Sequence, residues 1–429
     1  MRIAMFTNTY LPHVGGVANS VKQFTDGYRQ RGHRVLVVAP TYEEECPEDE
    51  EENVVRVPAL KNIQESNFSL ALPTTPKLTR ALDEFQPEIL HSHHPYIIGD
   101  TALRLAASQE VPLVFTYHTM YEHYTHYSPV APKQLKEFVI ELATGYANLC
   151  SRVIAPSQSV AEILRERGVK TPISVIPTGV DVDRFADGDG DAIRTEYGVP
   201  PDATVLGYVG RLAKEKNLEF LSGALTACLA EDEEARVLMV GDGGAREDIE
   251  EIFANEGMSE RLHMTGELTG RAVVNAYHAM DVFAFASLTE TQGMALAEAL
   301  AAGRPVVALE APGAREIIRD GENGRLVRQE DAGEFAMALG QVVEQAREAP
   351  AELAERCRES VEDYRSERCV ERALDLYAGL LRDERTILPP AEAALHTVPE
   401  TLAREGRLWL NRLRALARAS VREQETDEH

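Results

Sequence analysis

Short apolar runs recur along the chain with longer, helix-spaced stretches between them. Residues 2–6, 34–39, 54–57, 89–91, 113–117, 152–155 and 174–176 are such runs, bounded by turn residues, and read as buried strands. Residues 17–31, 77–85, 101–109 and 132–149 instead carry apolar positions three and four apart, the spacing of an amphipathic helix. Strand and helix in alternation predict a parallel, doubly wound α/β sheet. The pattern then starts again. Residues 204–209, 236–240, 262–264, 282–285, 306–308 and 324–327 form a second series of strands, once more separated by helical runs. Two open sheets in one chain are expected to face a central cleft at the carboxyl ends of their strands. The boundary is placed in the turn-rich Pro177-Thr178-Gly179-Val180-Asp181, dividing 1–178 from 179–365.

Two acidic stretches interrupt this pattern. Residues 43–52 are almost wholly acidic and read as a solvated loop. Asp187-Gly188-Asp189-Gly190-Asp191 has the look of a calcium loop, but Ala192 stands where that loop needs glycine and Gly198 where it needs a bidentate glutamate. The calcium reading is rejected. No stretch of 18 apolar residues occurs, so a bilayer-spanning helix is not expected. The first strand begins at once, without the pattern of a secretory signal.

Charge narrows the class. Seventy Asp and Glu stand against 44 Lys and Arg, a formal net charge of -26 over 429 residues. A field of that sign repels phosphate backbones, so nucleic-acid binding is excluded. Only eight of the basic residues are lysines and none follows Lys216, a balance expected of a protein kept soluble in concentrated salt; an acidic protein from a GC-rich mesophile is the alternative. Five scattered cysteines without metal-ligand spacing imply neither disulfide framework nor zinc site, and fit a reducing cytosol.

Four motifs carry candidate chemistry. Gly15-Gly16 lies between the first strand and the first helix, where bare backbone serves either a tight turn or a phosphate at the positive helix end. Gly210-Arg211 and Lys216-Asn217 follow a strand of the second series; in so acidic a chain the two cations suit a diphosphate, the plainer reading being solubility with Lys216 paired to Glu215 or Glu219. Glu290-Thr291-Gln292-Gly293-Met294-Ala295 opens a helix that carries Glu298. Amides at Gly293, Met294 and Ala295 point toward a phosphate, while the two carboxylates suit sugar and ribose hydroxyls. Finally, residues 116–127 pack three histidines and four tyrosines after a strand, with spacings that do not fit a helical zinc pair but suit carbohydrate stacking; His118 is nearest the strand end.

Taken in order, Gly15-Gly16, Gly210-Arg211 with Lys216-Asn217, Gly241-Asp242-Gly243 and the spaced pair Glu290 and Glu298 resemble the retaining glycosyltransferases of family 4. The resemblance covers residues 1 to about 382 and implies the GT-B architecture of two Rossmann-like domains, with a helix over 366–382 crossing back to the first. It implies that Arg211 and Lys216 neutralise a donor diphosphate, Glu290 binds the transferred sugar, Glu298 the nucleotide ribose, and His118 the sugar near the reacting carbon. It implies no resident cofactor and no required metal, the co-substrate being a nucleotide sugar such as UDP-glucose. Tyr117-His118-Thr119-Met120-Tyr121-Glu122 is similar to the bacterial diacylglycerol glucosyltransferases, which implies a lipid acceptor. Thr178 stands where many members have Asn, and Thr291-Gln292 where many have an aromatic residue or glycine, so the sugar is left open.

Beyond Pro389-Pro390, Arg404, Arg407, Arg412, Arg414 and Arg418 fall on one side of a helix and Trp409, the chain's only tryptophan, on the other. This tail, 386–429, is expected to lie on an anionic membrane surface, placing the protein peripherally at the cytoplasmic face; packing on the acidic body of the same protein uses the same faces. The whole reads as a retaining hexosyltransferase from UDP-glucose to a glycerolipid such as diacylglycerol. The rivals are transfer to a soluble or polyprenol-linked glycan, and a nucleotide-sugar epimerase, which shares the architecture but needs no acceptor.

Overall fold

The computed structural model describes residues 1–12, 15–41, 53–60, 70–71, 75–122 and 132–383. The acidic 43–52 stretch and the basic 386–429 tail lie outside the described residues. The chain forms two compact units, residues 1–178 with 367–383, and 179–366.

The first unit runs β1 Arg2–Phe6, α1 Gly16–Gln30, β2 Arg34–Pro40, β3 Val54–Val57, β4 Ala59–Leu60, β5 Leu70–Ala71, α2 Pro76–Phe85, β6 Ile89–Ser92, α3 Ile98–Gln109, β7 Leu113–Thr116, α4 Pro132–Ala147, β8 Arg152–Ala155, α5 Gln158–Glu166 and β9 Ile173–Val175. Seven strands pair in parallel in the order β3-β2-β1-β6-β7-β8-β9, while β4 and β5 make a small antiparallel pair that the hydrophobic pattern does not predict. Two residues per strand are too few for any periodicity to show. Ile3, Ala4, Met5 and Phe6 are all fully buried, because helices cover both faces of the sheet. Successive residues then serve opposite layers: Ala4 and Phe6 pack with Leu36 and Val38, Ile3 and Met5 with Val35 and Val37.

The second unit runs α6 Val182–Ala186, α7 Gly190–Glu196, β10 Val205–Val209, α8 Leu218–Glu231, β11 Arg236–Val240, α9 Arg246–Asn255, β12 Leu262–Gly266, α10 Gly270–Ala279, β13 Val282–Phe285, α11 Met294–Ala301, β14 Val306–Leu309, α12 Pro312–Ile317, β15 Gly324–Val327, α13 Ala332–Glu348 and α14 Pro350–Ser360. Six parallel strands take the order β12-β11-β10-β13-β14-β15. The acidic run at 187–191 has a structural use here: the Asp189 side chain accepts from the Ala192 amide at 3.0 Å and caps α7.

The last helix, α15 Ser366–Arg382, buries Cys369, Val370, Ala373, Leu374, Tyr377 and Leu380 against the first unit's sheet and α1. At Gly27 of α1 an added Cβ would stand 2.5 Å from a Val370 methyl, so the two helices meet where one lacks a side chain.

In each sheet the strand order reverses once. The reversal lies between β1 and β6 in the first unit and between β10 and β13 in the second. In open parallel sheets the loops leaving such a pair of strands splay apart and form a crevice for ligands.

Candidate functional site

The topology of the second unit brings the motif after β10 next to the motif after β13. Lys216 closes a single helical turn after β10, and its Nζ forms an ion pair with Glu290 Oε1, both side chains less than one-fifth exposed. Arg211, half exposed, pairs with the nearly buried Glu215. The expected partner of Lys216 on its own helical stretch is therefore replaced by a carboxylate from the neighbouring loop, and Glu215 goes to Arg211 instead. Glu215 also ties the loops together through its carbonyl, which accepts from Ser287 Oγ at 3.3 Å and Thr289 Oγ1 at 3.2 Å. Asn217, in a left-handed conformation with φ 57°, starts α8 and donates to the Ala286 carbonyl at 3.4 Å.

Backbone packing sets this corner. At Gly241, φ is 141°, and a Cβ would fall 1.9 Å from the Gly210 carbonyl oxygen, so the loops after β10 and β11 touch main chain to main chain. The Leu212 amide donates to Asp242 O at 2.9 Å, and the Ala245 amide to Leu212 O at 2.9 Å.

Gly293, at φ 76°, turns the chain into α11, and no side chain caps the helix start. Met294 and Ala295 thus form the first turn with its positive dipole end. Glu298, on the same helix and half-buried, accepts from Tyr277 Oη at 2.8 Å. Burial raises the Glu298 pKa, an effect the Tyr277 hydrogen bond opposes.

His118 belongs to the first unit, just past β7. Its Nε2 lies 2.8 Å from Nδ1 of His93, which follows β6, and the two rings stack with centroids 5.1 Å apart. Behind them His91 is held by Thr116 Oγ1 at 2.7 Å and Tyr377 Oη at 2.6 Å. The backbone amide of Asn8 donates to His94 Nδ1 at 3.1 Å. Burial lowers the pKa of His91, His94 and His118 to about 3 and that of His93 well below its usual value, so these imidazoles are neutral near pH 7. Arg167, just after α5, pairs with the buried Glu122 and donates to Tyr117 Oη at 3.4 Å, pinning the segment that bears His118. His123 and His126 lie outside the described residues.

Gly15 and Gly16 open α1. Gly15 is extended (φ 175°), and a Cβ on Gly16 would meet nothing within 4 Å. Neither conformation is one that only glycine adopts, and at Gly16 the space a side chain would take is open. His13 and Val14 lie outside the described residues.

The structure thus gathers Arg211, Lys216, Glu290, Gly293, Met294, Ala295 and Glu298 in one unit, and Gly15, Gly16 and His118 in the other. Sequence reasoning missed His91, His93, Tyr377 and Tyr277, and gave Glu215 to Lys216 rather than to Arg211. The signal for the first two was present: Ile89-Leu90-His91-Ser92-His93-His94 ends a strand with three histidines. The others are partners set by packing, which spacing does not reveal. Among the described residues no group of three or more His, Cys, Asp or Glu could hold a metal ion, and no helix is long and apolar enough to cross a membrane.

Comparison with known proteins gives a consistent result. Residues 14–184 match the model of Glycosyltransferase Family 4, and residues 203–345 that of Glycosyl transferases group 1. The chain is similar to an alpha-monoglucosyldiacylglycerol synthase of Streptococcus pneumoniae, 28% identical over 76% of this chain and 75% of that protein. It is also similar to a GDP-mannose-dependent alpha-mannosyltransferase of Mycobacterium tuberculosis, 31% identical over 80% of this chain and 87% of that one. Among solved structures, the Anabaena Alr3699/HepE complex with UDP-glucose superposes with a TM-score of 0.71 at 19% identity, covering 88% of this chain and 99% of that one, a likeness of fold.

Proposed function

The chain belongs to glycosyltransferase family 4, with the GT-B fold, and from that premise we propose that it moves glucose from UDP-glucose to a membrane glycerolipid such as diacylglycerol, with retention of configuration. The observation that carries the reading is the Lys216–Glu290 pair at the β10/β13 reversal, beside the uncapped start of α11. A cation, a carboxylate and a helix dipole together suit a sugar diphosphate: Lys216 and Arg211 meet the charge, the Met294 and Ala295 amides a phosphate oxygen, Glu290 the sugar hydroxyls and Glu298 the ribose. In the proposed reaction the bond from the anomeric carbon to the diphosphate oxygen breaks, its electron pair leaving with the phosphate. The acceptor hydroxyl oxygen then bonds that carbon from the same face, and its proton passes to the departing phosphate. The scheme uses no metal, because the two cations and the helix amides offset the developing charge.

The lipid acceptor is supported by the diacylglycerol-linked activity in the name of the pneumococcal relative and by the segment around His118. It is supported also by the basic tail bearing Arg404, Arg407, Trp409, Arg412, Arg414 and Arg418, which suits peripheral attachment to an anionic membrane face. A second reading, GDP-mannose as donor, is favoured by the mycobacterial relative, which is the more identical of the two.

The test uses purified protein with radiolabelled UDP-glucose, UDP-galactose or GDP-mannose, each with and without diacylglycerol-containing vesicles. Label from UDP-glucose is expected in the organic phase only when lipid is present. Label from GDP-mannose alone would establish the second reading. Nucleotide release or sugar isomerisation without labelled lipid would overturn the lipid acceptor and direct attention to a soluble glycan or an epimerase.

A further inference from the structure

Glu298 stands one turn inside α11, on the face that Met294 and Ala295 share with it. Helical side chains lean back toward the helix start, so its carboxylate belongs over the first turn, beside the amides suited to phosphate. A glutamate on a helix surface normally swings between rotamers. Here a neighbouring helix restrains it. Tyr277, near the end of α10, has its hydroxyl 2.8 Å from Oε2 of Glu298. The Tyr277 ring is fully buried and lies between Phe185 of α6, with centroids 5.7 Å apart, and Phe283 of β13 at 5.6 Å. The hydroxyl is therefore carried on a ring fixed by packing.

The direction of this bond follows from burial. A buried hydroxyl needs an acceptor, and among the described residues the one Tyr277 Oη reaches is Oε2 of Glu298. Tyr277 thus donates and Oε2 accepts. No other side chain of the described residues ties the carboxylate. Arg184 of α6 acts on it through its charge, but Nη2 of Arg184 is engaged by the Gly270 carbonyl at 2.8 Å. Oε1 of Glu298 takes no hydrogen bond among the described residues and is not sealed off from the surface. One oxygen is anchored to the protein and the other is left facing outward.

We propose that Tyr277 is a positioning residue for nucleotide recognition: its hydroxyl holds Oε2 of Glu298, so that Oε1 is presented, already oriented, to the ribose hydroxyls. An oriented acceptor binds without first giving up the freedom of a loose side chain, so Tyr277 raises affinity for the ribose without touching the ligand. It has no part in breaking the bond at the anomeric carbon. This rests on the reading above, in which Glu298 takes the ribose.

The test is a titration with a kinetic control. Isothermal titration of the full-length protein with UDP and with GDP identifies the nucleotide bound. That nucleotide is then compared with its 2′,3′-dideoxy form, which keeps base and diphosphate but lacks both ribose hydroxyls. The wild type is expected to bind the dideoxy form about 10- to 100-fold more weakly, the worth of a hydrogen bond to a charged group. In Tyr277→Phe, which keeps the ring and its packing, Kd for the full nucleotide is expected to rise about 3- to 10-fold, with Kd for the dideoxy form unchanged within about a factor of two. An equal rise for both forms would mark a structural role and overturns the proposal, as does an unchanged Kd for the full nucleotide. Tyr277→Phe added to Glu298→Ala is expected to cost nothing more; a further loss in the double variant also overturns it. In the transfer assay KM for the nucleotide sugar should rise in Tyr277→Phe while kcat holds within about a factor of two; a fall in kcat at constant KM contradicts a role confined to the ribose. The ribose reading has its own failures: a wild type that does not discriminate, discrimination retained in Glu298→Ala, or binding of neither nucleotide overturns that reading, and the proposal with it.

Discussion

At the scale of single residues the candidate site is a set of charges held by specific partners. Arg211 and Lys216 each touch a carboxylate now, Glu215 and Glu290, and both carboxylates are well covered. A nucleotide diphosphate brings more negative charge than either, so these pairs are where donor binding and protein stability separate. Arg211→Ala and Lys216→Ala are each expected to lower kcat/KM about 10²- to 10³-fold, the usual cost of removing one preorganised counter-charge. The midpoint of thermal unfolding should move by only a few degrees for Arg211→Ala, whose side chain is half exposed, and by more for Lys216→Ala, which takes a partner from the covered Glu290. Loss of activity in step with loss of fold would assign them a structural role. The histidines make a second prediction. His91, His94 and His118, with pKa near 3, and His93, which burial also holds well below its usual value, bind protons far more weakly folded than unfolded, where a histidine titrates near 6.5. The unfolded chain therefore takes up the extra protons as pH falls. The stability that these groups contribute is fully present above pH 6.5 and is lost progressively as pH drops toward 3. Urea midpoints followed from pH 7.5 to 5 should fall more steeply for the wild type than for His91→Phe, which removes one of the titrating groups; parallel curves would contradict the burial argument.

Elements were the most legible part of the chain, and the reason is physical. A strand buried on both faces must be apolar throughout, so β1, β2, β10, β11 and β13 stand out as runs, and the helices between them keep their own period. Apart from the short β4–β5 pair, errors are at the ends: the last strand of the first unit is Ile173–Val175 rather than 174–176, and α3 starts at Ile98 instead of 101, because strand and helix termini are decided by caps and neighbours more than by pattern. Of the candidate site, the charged motifs could be picked out from the sequence because glycines, cations and paired carboxylates fall together at strand ends, whereas His93 and Tyr377 enter only through the strand and helix that lie beside them. The start of α11 tests the element argument. Gly293 has φ 76°, and a Cβ would lie 2.7 Å from the Leu296 side chain. Gly293→Ala is expected to cost about 1–2 kcal/mol, the penalty of a left-handed L-residue, and to weaken UDP binding by turning the first amides of α11. Isothermal titration with UDP and a urea melt measure the two effects; unchanged affinity would remove the helix start from the phosphate site.

Over the whole molecule, charge is the dominant fact. Seventy acidic residues against 44 basic ones leave 26 negative charges without an internal counterpart. Surface ion pairs such as Arg271–Asp187, at 3.4 Å with side chains 57% and 92% exposed, add little and weaken with salt. The repulsion among unpaired carboxylates also weakens with salt, and the two effects oppose each other. Since the excess charge is large and each exposed pair is worth less than about 1 kcal/mol, relief of repulsion should win. Raising KCl from about 0.1 M to about 1 M shortens the screening length from about 10 Å to about 3 Å, and the midpoint of thermal unfolding is expected to rise. The membrane attachment proposed for the arginine-rich tail should have the opposite dependence, because there the same screening removes an attraction. Co-sedimentation with anionic vesicles should therefore decline over the salt range in which the protein gains stability, and removal of residues 386–429 should abolish that salt-sensitive part together with the contribution of the tail's apolar residues. A tail that packs on the acidic body instead predicts something different: its removal would lower the unfolding midpoint in dilute buffer and leave vesicle binding as it was.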